Sequence, residues 1–125
     1  MSRRVLASYR MMLRFYGLRL ADERTGAVER DPADADGARM NNFNTSSHNF
    51  LRISRILTSL GELGFRRYKA PLLAALRAEV AAGRLRRAAH SLERFWAPLV
   101  EEEDADWYAH KTLEEPTDRA EGCLF

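Results

Sequence analysis

The residues best suited to chemistry are four polar side chains near the middle of the chain, separated by four, three and four positions: His48, Arg52, Arg55 and Ser59. On a helix with 3.6 residues per turn, these spacings place all four on one face. An imidazole, two guanidinium groups and a hydroxyl can donate hydrogen bonds to an acidic peptide, a phosphate or a nucleic acid backbone. The alternative is a solvated face, or one that pairs with carboxylates elsewhere in the chain.

The remaining residues do not predict an enzyme. None of the three histidines has a partner at a spacing that indicates a catalytic triad. The single cysteine, Cys123, is a poor candidate because the tail would not hold a nucleophile against a base. Asp106, His110 and Glu114 would share a helix face, but a solvated charge face is much commoner than a metal site. We therefore expect no catalytic residue, no cofactor and no metal.

The four polar residues belong to a stretch, residues 46–64, that has the pattern of a core helix. Ser46 or Ser47 can cap its first turn through a hydroxyl oxygen. Gly64 suits the left-handed residue that commonly ends a helix. At 100° per residue the apolar side chains fall within about 140°. They are Phe50, Ile53, Ile56, Leu57, Leu60 and Leu63.

Two residues of this helix predict contacts with other elements. Asn49 falls on the apolar side, where a buried amide must be hydrogen-bonded. We expect it to fix the preceding loop. Leu51 points away from the apolar arc, which predicts that another element covers the helix from behind.

An earlier helix is predicted over residues 3–20, apolar on two sides. One side carries Val5, Leu6, Tyr9, Met12, Leu13 and Tyr16. The other carries Met11, Phe15 and Leu18. A helix with two apolar sides needs neighbours on both, so we expect it to run through a bundle. The alternative for this arginine-rich, acid-free start is a mitochondrial transit peptide, against which its many large apolar and aromatic residues argue.

Residues 21–44 carry turn and breaker residues and predict a solvated connection with at most one short helical turn. Met40 and Phe43 are expected to anchor this connection to the core. We predict no strand anywhere in the chain.

Two more helices are predicted beyond residue 64. The first begins near Pro71, ends at Gly83 and buries Leu72, Leu73, Leu76 and Val80. The second runs from Leu85 to Trp96 and is closed by Pro98, because proline cannot continue the backbone ladder. Its inward residues are predicted to be Leu85, Ala88, Ala89, Leu92, Phe95 and Trp96.

Charge is strongly segregated along the chain, although the net charge is only +2. Residues 1–21 carry five arginines and no acid, whereas residues 101–125 carry nine acidic and two basic residues. We expect an all-α domain of about four helices over residues 1–100 and an acidic tail over residues 101–125. Because Trp107 is a large apolar side chain in this acidic tail, we expect the tail to dock on the body or on a partner.

The helix over residues 46–64 also carries a family resemblance. The sequence SHNFLRISRILTSLGELG, residues 47–64, followed by YKAPLL, residues 68–73, resembles the opioid growth factor receptor (OGFr) conserved region. Residues 12–18 and 95–96 agree with that family in order and spacing, so the resemblance covers about residues 9–97.

The resemblance implies an all-helical fold without known catalysis. Its named animal member is described as a receptor for an enkephalin peptide that restrains cell proliferation. The resemblance therefore implies peptide or protein binding, a nuclear or cytoplasmic location and peripheral association with membranes. No run approaches 18 apolar residues, so no transmembrane segment is predicted.

The sequence contains nothing like the motif H-D-Y-x-Q-W-x-F-P that the resemblance places in the earlier half of the family domain. We therefore expect it to match only the C-terminal half, which leaves an apolar patch uncovered. The patch consists of Met11, Phe15, Leu18 and Leu51, with Trp107 as a further member. Because soluble monomers rarely expose so much apolar surface, we expect a homo-oligomer, a larger assembly or a docked tail.

Two functions follow from these observations. The first is a helical module that binds a peptide or protein. The second is a structural subunit of a large complex, whose arginine-rich body contacts nucleic acid or acidic partner surfaces.

Overall fold

The computed structural model describes residues 3–101, which form five α-helices and a small two-stranded sheet. The helices are α1 (Arg3–Phe15), α2 (Ala38–Thr45), α3 (Ser47–Glu62), α4 (Lys69–Ala81) and α5 (Ala89–Ser91). Between α1 and α2, strands β1 (Leu18–Leu20) and β2 (Val28–Arg30) pair antiparallel, with Arg19 opposite Glu29. The prediction of a small, mostly helical domain is confirmed.

The first helix ends earlier than predicted, and a strand follows it. Gly17 has a φ of +80°, a left-handed conformation that glycine adopts without strain. The chain then enters β1, where Leu18 and Leu20 are buried and Arg19 is exposed. The predictions of a helix to residue 20 and of no strand were both wrong. Strands of three residues are too short to show a period in the sequence.

The segment predicted as a solvated connection contains both β2 and α2. Asp34 organises the start of α2, because its carboxylate oxygens accept the backbone amides of Arg39 at 2.9 Å and Met40 at 3.2 Å. A carboxylate at this end of a helix satisfies free amides and complements the helix dipole. Met40 and Phe43 are buried, so their predicted anchoring role is confirmed.

Helix α3 contributes the central part of the core. Its apolar arc is confirmed, with Phe50 half-buried and the other members buried: Ile53, Ile56, Leu57, Leu60 and Leu63. Gly64 has a φ of +89° and follows the helix end as predicted. Ser46 precedes the helix, but its side chain makes no capping hydrogen bond, so the predicted hydroxyl cap was wrong. The Ser46 carbonyl instead accepts a hydrogen bond from the backbone N–H of Asn49 at 3.1 Å.

Helix α4 follows a short 3₁₀ turn, Arg66–Tyr68, and ends close to its predicted position. Its predicted buried face is confirmed for Leu72, Leu73 and Leu76, and Val80 is half-buried. Gly83, two residues after the helix, has a φ of +85°.

Pro98 does not end the last helix, contrary to prediction. Helix α5 continues into a π-helical turn, Leu92–Trp96, and residues 97–101 are again helical. Proline lacks an amide, and its ring clashes with the carbonyl four residues earlier in a regular helix. The wider π turn, in which the Ala97 amide bonds to the Leu92 carbonyl, lets the helix continue through Pro98.

The inward face of this helix also differs from the prediction at two positions. Ala89 and Phe95 are exposed, and the buried positions are Leu85, Ala88, Leu92, Trp96, Ala97 and Val100. Four of these recur every fourth residue from 88 to 100, so Phe95 lies one position away from the buried row.

An aromatic cluster joins the helices at the centre of the core. The Tyr16 ring lies 4.5 Å from the Phe43 ring, and Phe43 lies 6.5 Å from Trp96. The indole of Trp96 donates a hydrogen bond to the Phe50 carbonyl at 3.1 Å. These contacts fix the end of α1 and helices α2 and α3 against the last helix, which sets the surface described next.

Candidate functional site

The polar face predicted on α3 is exposed to solvent. His48, Arg52 and Arg55 are exposed, and Ser59 is half-buried. In the part of the chain that the structure describes, the side chains of His48 and Arg55 have no hydrogen-bonding or ionic partner. The predicted role of these four residues as a contact face remains a prediction.

Arg52 differs from its neighbours because it interacts with the hydroxyl of Tyr16. Burial raises the pKa of the Tyr16 hydroxyl above its ordinary value, while the nearby positive charge of Arg52 opposes that shift. Arg52 therefore acts on the end of α1 through its charge, in addition to presenting a cation to solvent.

The predicted apolar patch is only partly present at the surface. Met11 is 66% exposed, Phe15 46% and Leu51 62%. Leu18 is fully buried in β1, so its place in the patch was wrong; the turn at Gly17 rotates it into the core. Trp107 lies outside the described residues. The predicted cover over Leu51 is not provided by any element within residues 3–101.

Met11 and Phe15 line a groove of about 470 Å³ between α1 and α2. The two side chains are four residues apart and thus neighbours on one helix face. From α2 the groove is lined by Ala38 and Asn42, and each helix contributes one arginine, Arg14 and Arg39. We name this the apolar groove.

A second cavity, of about 430 Å³, is lined by four arginines. These are Arg10, Arg14, Arg19 and Arg39, and the lining also includes Leu18, Leu20, Asp31 and Ala33. Arg14 and Arg39 line both cavities, so the arginine pocket and the apolar groove adjoin.

Three of the pocket's arginines already have acidic neighbours. Arg10 pairs with Glu23 at 3.1 Å, Arg19 with Glu29, and Arg39 with Asp31 at 3.7 Å. Arg14 makes no ion pair with any residue from 3 to 101. All of these pairs lie on partly exposed side chains, where a pair contributes little and can be exchanged for another.

Two buried polar groups have structural partners. Glu79 is 4% exposed and pairs with Arg84 and, at 3.9 Å, with Arg30, which connects α4 to β2. The Asn49 amide donates to the carbonyls of Asn42 at 3.3 Å and Phe43 at 3.5 Å. The predicted hydrogen bonding of Asn49 is therefore confirmed, although the segment it fixes is helical.

Within residues 3–101, no three His, Cys, Asp or Glu side chains lie close enough together to hold a metal ion. The charge face Asp106, His110 and Glu114 lies outside this range. No helix of the described chain is long and apolar enough to cross a membrane.

These features define a class of protein: a small, mostly helical domain with an apolar groove beside an arginine pocket. The opioid growth factor receptor (OGFr) conserved region matches residues 1–110. The chain therefore belongs to this family, which confirms the resemblance. The expected restriction to the C-terminal half of the family domain remains a prediction.

The similar proteins are much longer than this chain. It is 53% identical over 70 residues to the opioid growth factor receptor of Mus musculus. The aligned residues make up 56% of this chain and 11% of that protein. The chain is 51% identical over 71 residues to opioid growth factor receptor-like protein 1 of Mus musculus, covering 57% and 15%. The receptor of Homo sapiens is 51% identical over 70 residues, covering 56% and 10%. No solved structure matches the chain.

The arginine pocket was not predicted, although part of its signal is visible in the sequence. Residues 1–21 carry five arginines and no acid. Three of those arginines line the pocket, but Arg39 joins them from α2. That convergence depends on the hairpin between α1 and α2, which the sequence pattern did not reveal.

Proposed function

We propose that this domain is a non-enzymatic binding module that holds a peptide or a protein segment in the apolar groove. The observation that carries the proposal is the exposure of Met11 and Phe15, 66% and 46%, on neighbouring turns that line the same groove. Apolar side chains concentrated in a groove are typical of peptide-binding surfaces. Arg14 and Arg39 supply donors that would orient the bound segment.

The family supports this proposal in general terms. The similar proteins are named receptors or receptor-like, a name consistent with recognition of a peptide or protein. Since the chain spans only 11% of the mouse receptor, a receptor role, a part in growth regulation and an intracellular location are proposals for this chain. Pairing with itself or membership of a larger assembly would be two ways of filling the same groove.

The test is selection of peptides from a displayed library on the full chain, followed by affinity measurement. We expect Met11→Ser/Phe15→Ser to weaken the selected peptides by at least about tenfold, since two apolar anchors are lost. Phe95→Ser is the matched control because Phe95 is also exposed, at 51%, but does not line the groove. Equal losses in both variants would contradict the proposal.

A second candidate function is contact with nucleic acid or an acidic surface through the exposed face of α3. It is favoured by His48 and Arg55, whose side chains have no partner in the described chain, and by the neighbouring cation of Arg52. Ser59 would add a hydroxyl donor. Phosphate-driven binding through two or three cations should weaken by at least about tenfold between roughly 50 and 200 mM salt, whereas binding in the apolar groove should change little. Fluorescence anisotropy with DNA and RNA oligonucleotides in both salts separates the two functions.

A further inference from the structure

The surface formed by the apolar groove and the arginine pocket has an excess of positive charge. Four arginines line the pocket, three of them pair with Glu23, Glu29 and Asp31, and Arg14 has no acidic partner among residues 3–101. The part of the chain up to residue 101 carries 18 basic and 10 acidic residues. A segment that fits both cavities must carry carboxylates next to an apolar side chain.

The part of the acidic tail that follows Glu101, residues 102–125, has that composition. It carries eight acidic and two basic residues. Large apolar residues lie directly beside carboxylates at two places: Trp107 follows Asp106, and Leu113 precedes Glu114. The tail thus matches the surface in charge and in the order of its side chains.

The tail is also long enough to reach this surface from any starting point on the body. Its start is defined by Glu101, which pairs with Arg77 of α4 at 3.3 Å. A domain of this size is about 33 Å across, from a radius of gyration near 13 Å, so the path around its surface to the opposite side is about 52 Å. The chain from Glu101 to Leu113 can extend about 40 Å and residues 102–125 together about 79 Å, at about 3.3 Å per residue. The tail can therefore reach the groove and the pocket.

We propose that residues 102–125 dock on this surface in the same molecule, with carboxylates on Arg14 and Arg39 and an apolar side chain in the groove. The tether gives the tail a high effective concentration at the surface. Because the tail occupies the groove, it competes with any peptide partner, a consequence that rests on the proposed function. The docking itself does not depend on that function.

The test is paramagnetic relaxation enhancement in the full chain, with a nitroxide on Ala109→Cys in a Cys123→Ser background. Docking predicts strong broadening of the amide signals of residues 10–19 and 38–42 and weak broadening elsewhere on the body. Raising the salt concentration should reduce the broadening, because partly exposed ion pairs are screened. A uniform or absent effect would overturn the proposal.

Two charge variants locate the contact. Arg14→Glu/Arg39→Glu should abolish the selective broadening, whereas the control Arg55→Glu/Arg86→Glu, which changes charge equally at exposed positions outside both cavities, should retain it. If the first variant does not fold, Glu114→Gln/Glu115→Gln tests the same pairing from the tail and should weaken the broadening. Retention of the broadening in that tail variant and in Leu113→Ser would overturn the proposal.

A mixture of spin-labelled chain and isotope-labelled chain separates docking within one molecule from docking on a second copy. Selective broadening of the same signals in the mixture would overturn the proposal in favour of a dimer. Selected peptides that bind the groove without any tail broadening would preserve the proposed function and remove this inference. Tail broadening without any selected peptide would preserve this inference and remove the proposed function.

Discussion

Asn49 shows how a single side chain determines the packing of two helices. It is 6% exposed, and its amide bonds to the carbonyls of Asn42 and Phe43 at the end of α2. Its position on the apolar arc of α3 predicted both its burial and its hydrogen bonding. The partner could not be predicted, because the sequence did not reveal α2 as a helix.

We expect Asn49→Ala to lower the free energy of unfolding by about 1–3 kcal/mol, because carbonyls at the end of α2 lose their donor. Asn41→Ala, an exposed asparagine on α2, is the control and should change it by less than about 0.5 kcal/mol. Chemical denaturation of both variants measures the difference. Equal effects would show that the amide of Asn49 has no structural role.

Tyr9 and Tyr16 predict a loss of stability at high pH. Burial raises the pKa of both hydroxyls above the ordinary value near 10, with the charge of Tyr68 adding to the effect at Tyr9. The two neutral hydroxyls contribute fully to the free energy of unfolding below the ordinary pKa. This contribution is lost as the pH rises through the native pKa values, because the unfolded chain ionises more easily than the folded chain. Unfolding free energies above about pH 10 should fall less steeply in Tyr9→Phe/Tyr16→Phe than in the parent chain. Parallel curves would contradict this assignment.

At the scale of elements, the sequence predicted the long helices and missed the short ones. The apolar arc of α3 repeats over four turns, so its period was recognisable and its buried face was correct. Strands β1 and β2 have three residues each and show no recognisable period. Helix α2 begins where Asp36 accepts the amide of Ala38 and Asp34 accepts those of Arg39 and Met40, a capping arrangement that the turn residues of this segment did not reveal.

The last helix shows the limit of a rule applied to one residue. Pro98 was predicted to end it, since proline breaks a regular helix. The π turn at Leu92–Trp96 accommodates the proline, and this change of hydrogen-bond register has no signal in the sequence.

The glycines that end elements provide a matched pair for a test. Gly17 and Gly83 have φ values of +80° and +85°. A Cβ at Gly17 would lie 2.6 Å from Asp34 Oδ2 and 3.1 Å from the Met40 amide, whereas a Cβ at Gly83 would meet nothing within 4 Å. The carboxylate of Asp34 cannot move freely because it caps α2.

Gly83→Ala should therefore cost about 1–2 kcal/mol from the left-handed backbone alone. Gly17→Ala should cost about 1–3 kcal/mol more, because the clash with Asp34 adds to the same backbone strain. Thermal or chemical unfolding measures both. A Gly17→Ala variant as stable as Gly83→Ala would contradict the close approach of the turn at Gly17 to Asp34 and the start of α2.

At the scale of the whole molecule, the excess of arginine in residues 1–21 and the exposed apolar side chains of α1 meet at one surface. The arginines of α1 and the exposed Met11 and Phe15 meet α2 at adjoining cavities. The sequence predicted the excess of arginine and the exposure of Met11, Phe15 and Leu51, but not the groove. The groove required α2, a helix that the sequence pattern did not predict.

Because Met11 and Phe15 are exposed, replacing them should impair binding without unfolding the domain. We expect Met11→Ser/Phe15→Ser to change the free energy of unfolding by less than about 1 kcal/mol. The matched variant Phe95→Ser should change the free energy of unfolding by a similarly small amount. A large loss of stability in the groove variant alone would indicate that these side chains serve the core.

The most direct test of binding through the apolar groove is NMR shift mapping of a library-selected peptide on the full chain. We expect amide shifts to concentrate at residues 11–15 and 38–42 and Met11→Ser/Phe15→Ser to abolish them. Shifts concentrated at residues 48–59 on the outer face of α3, unchanged in that variant, would contradict the claim that this domain binds through its apolar groove.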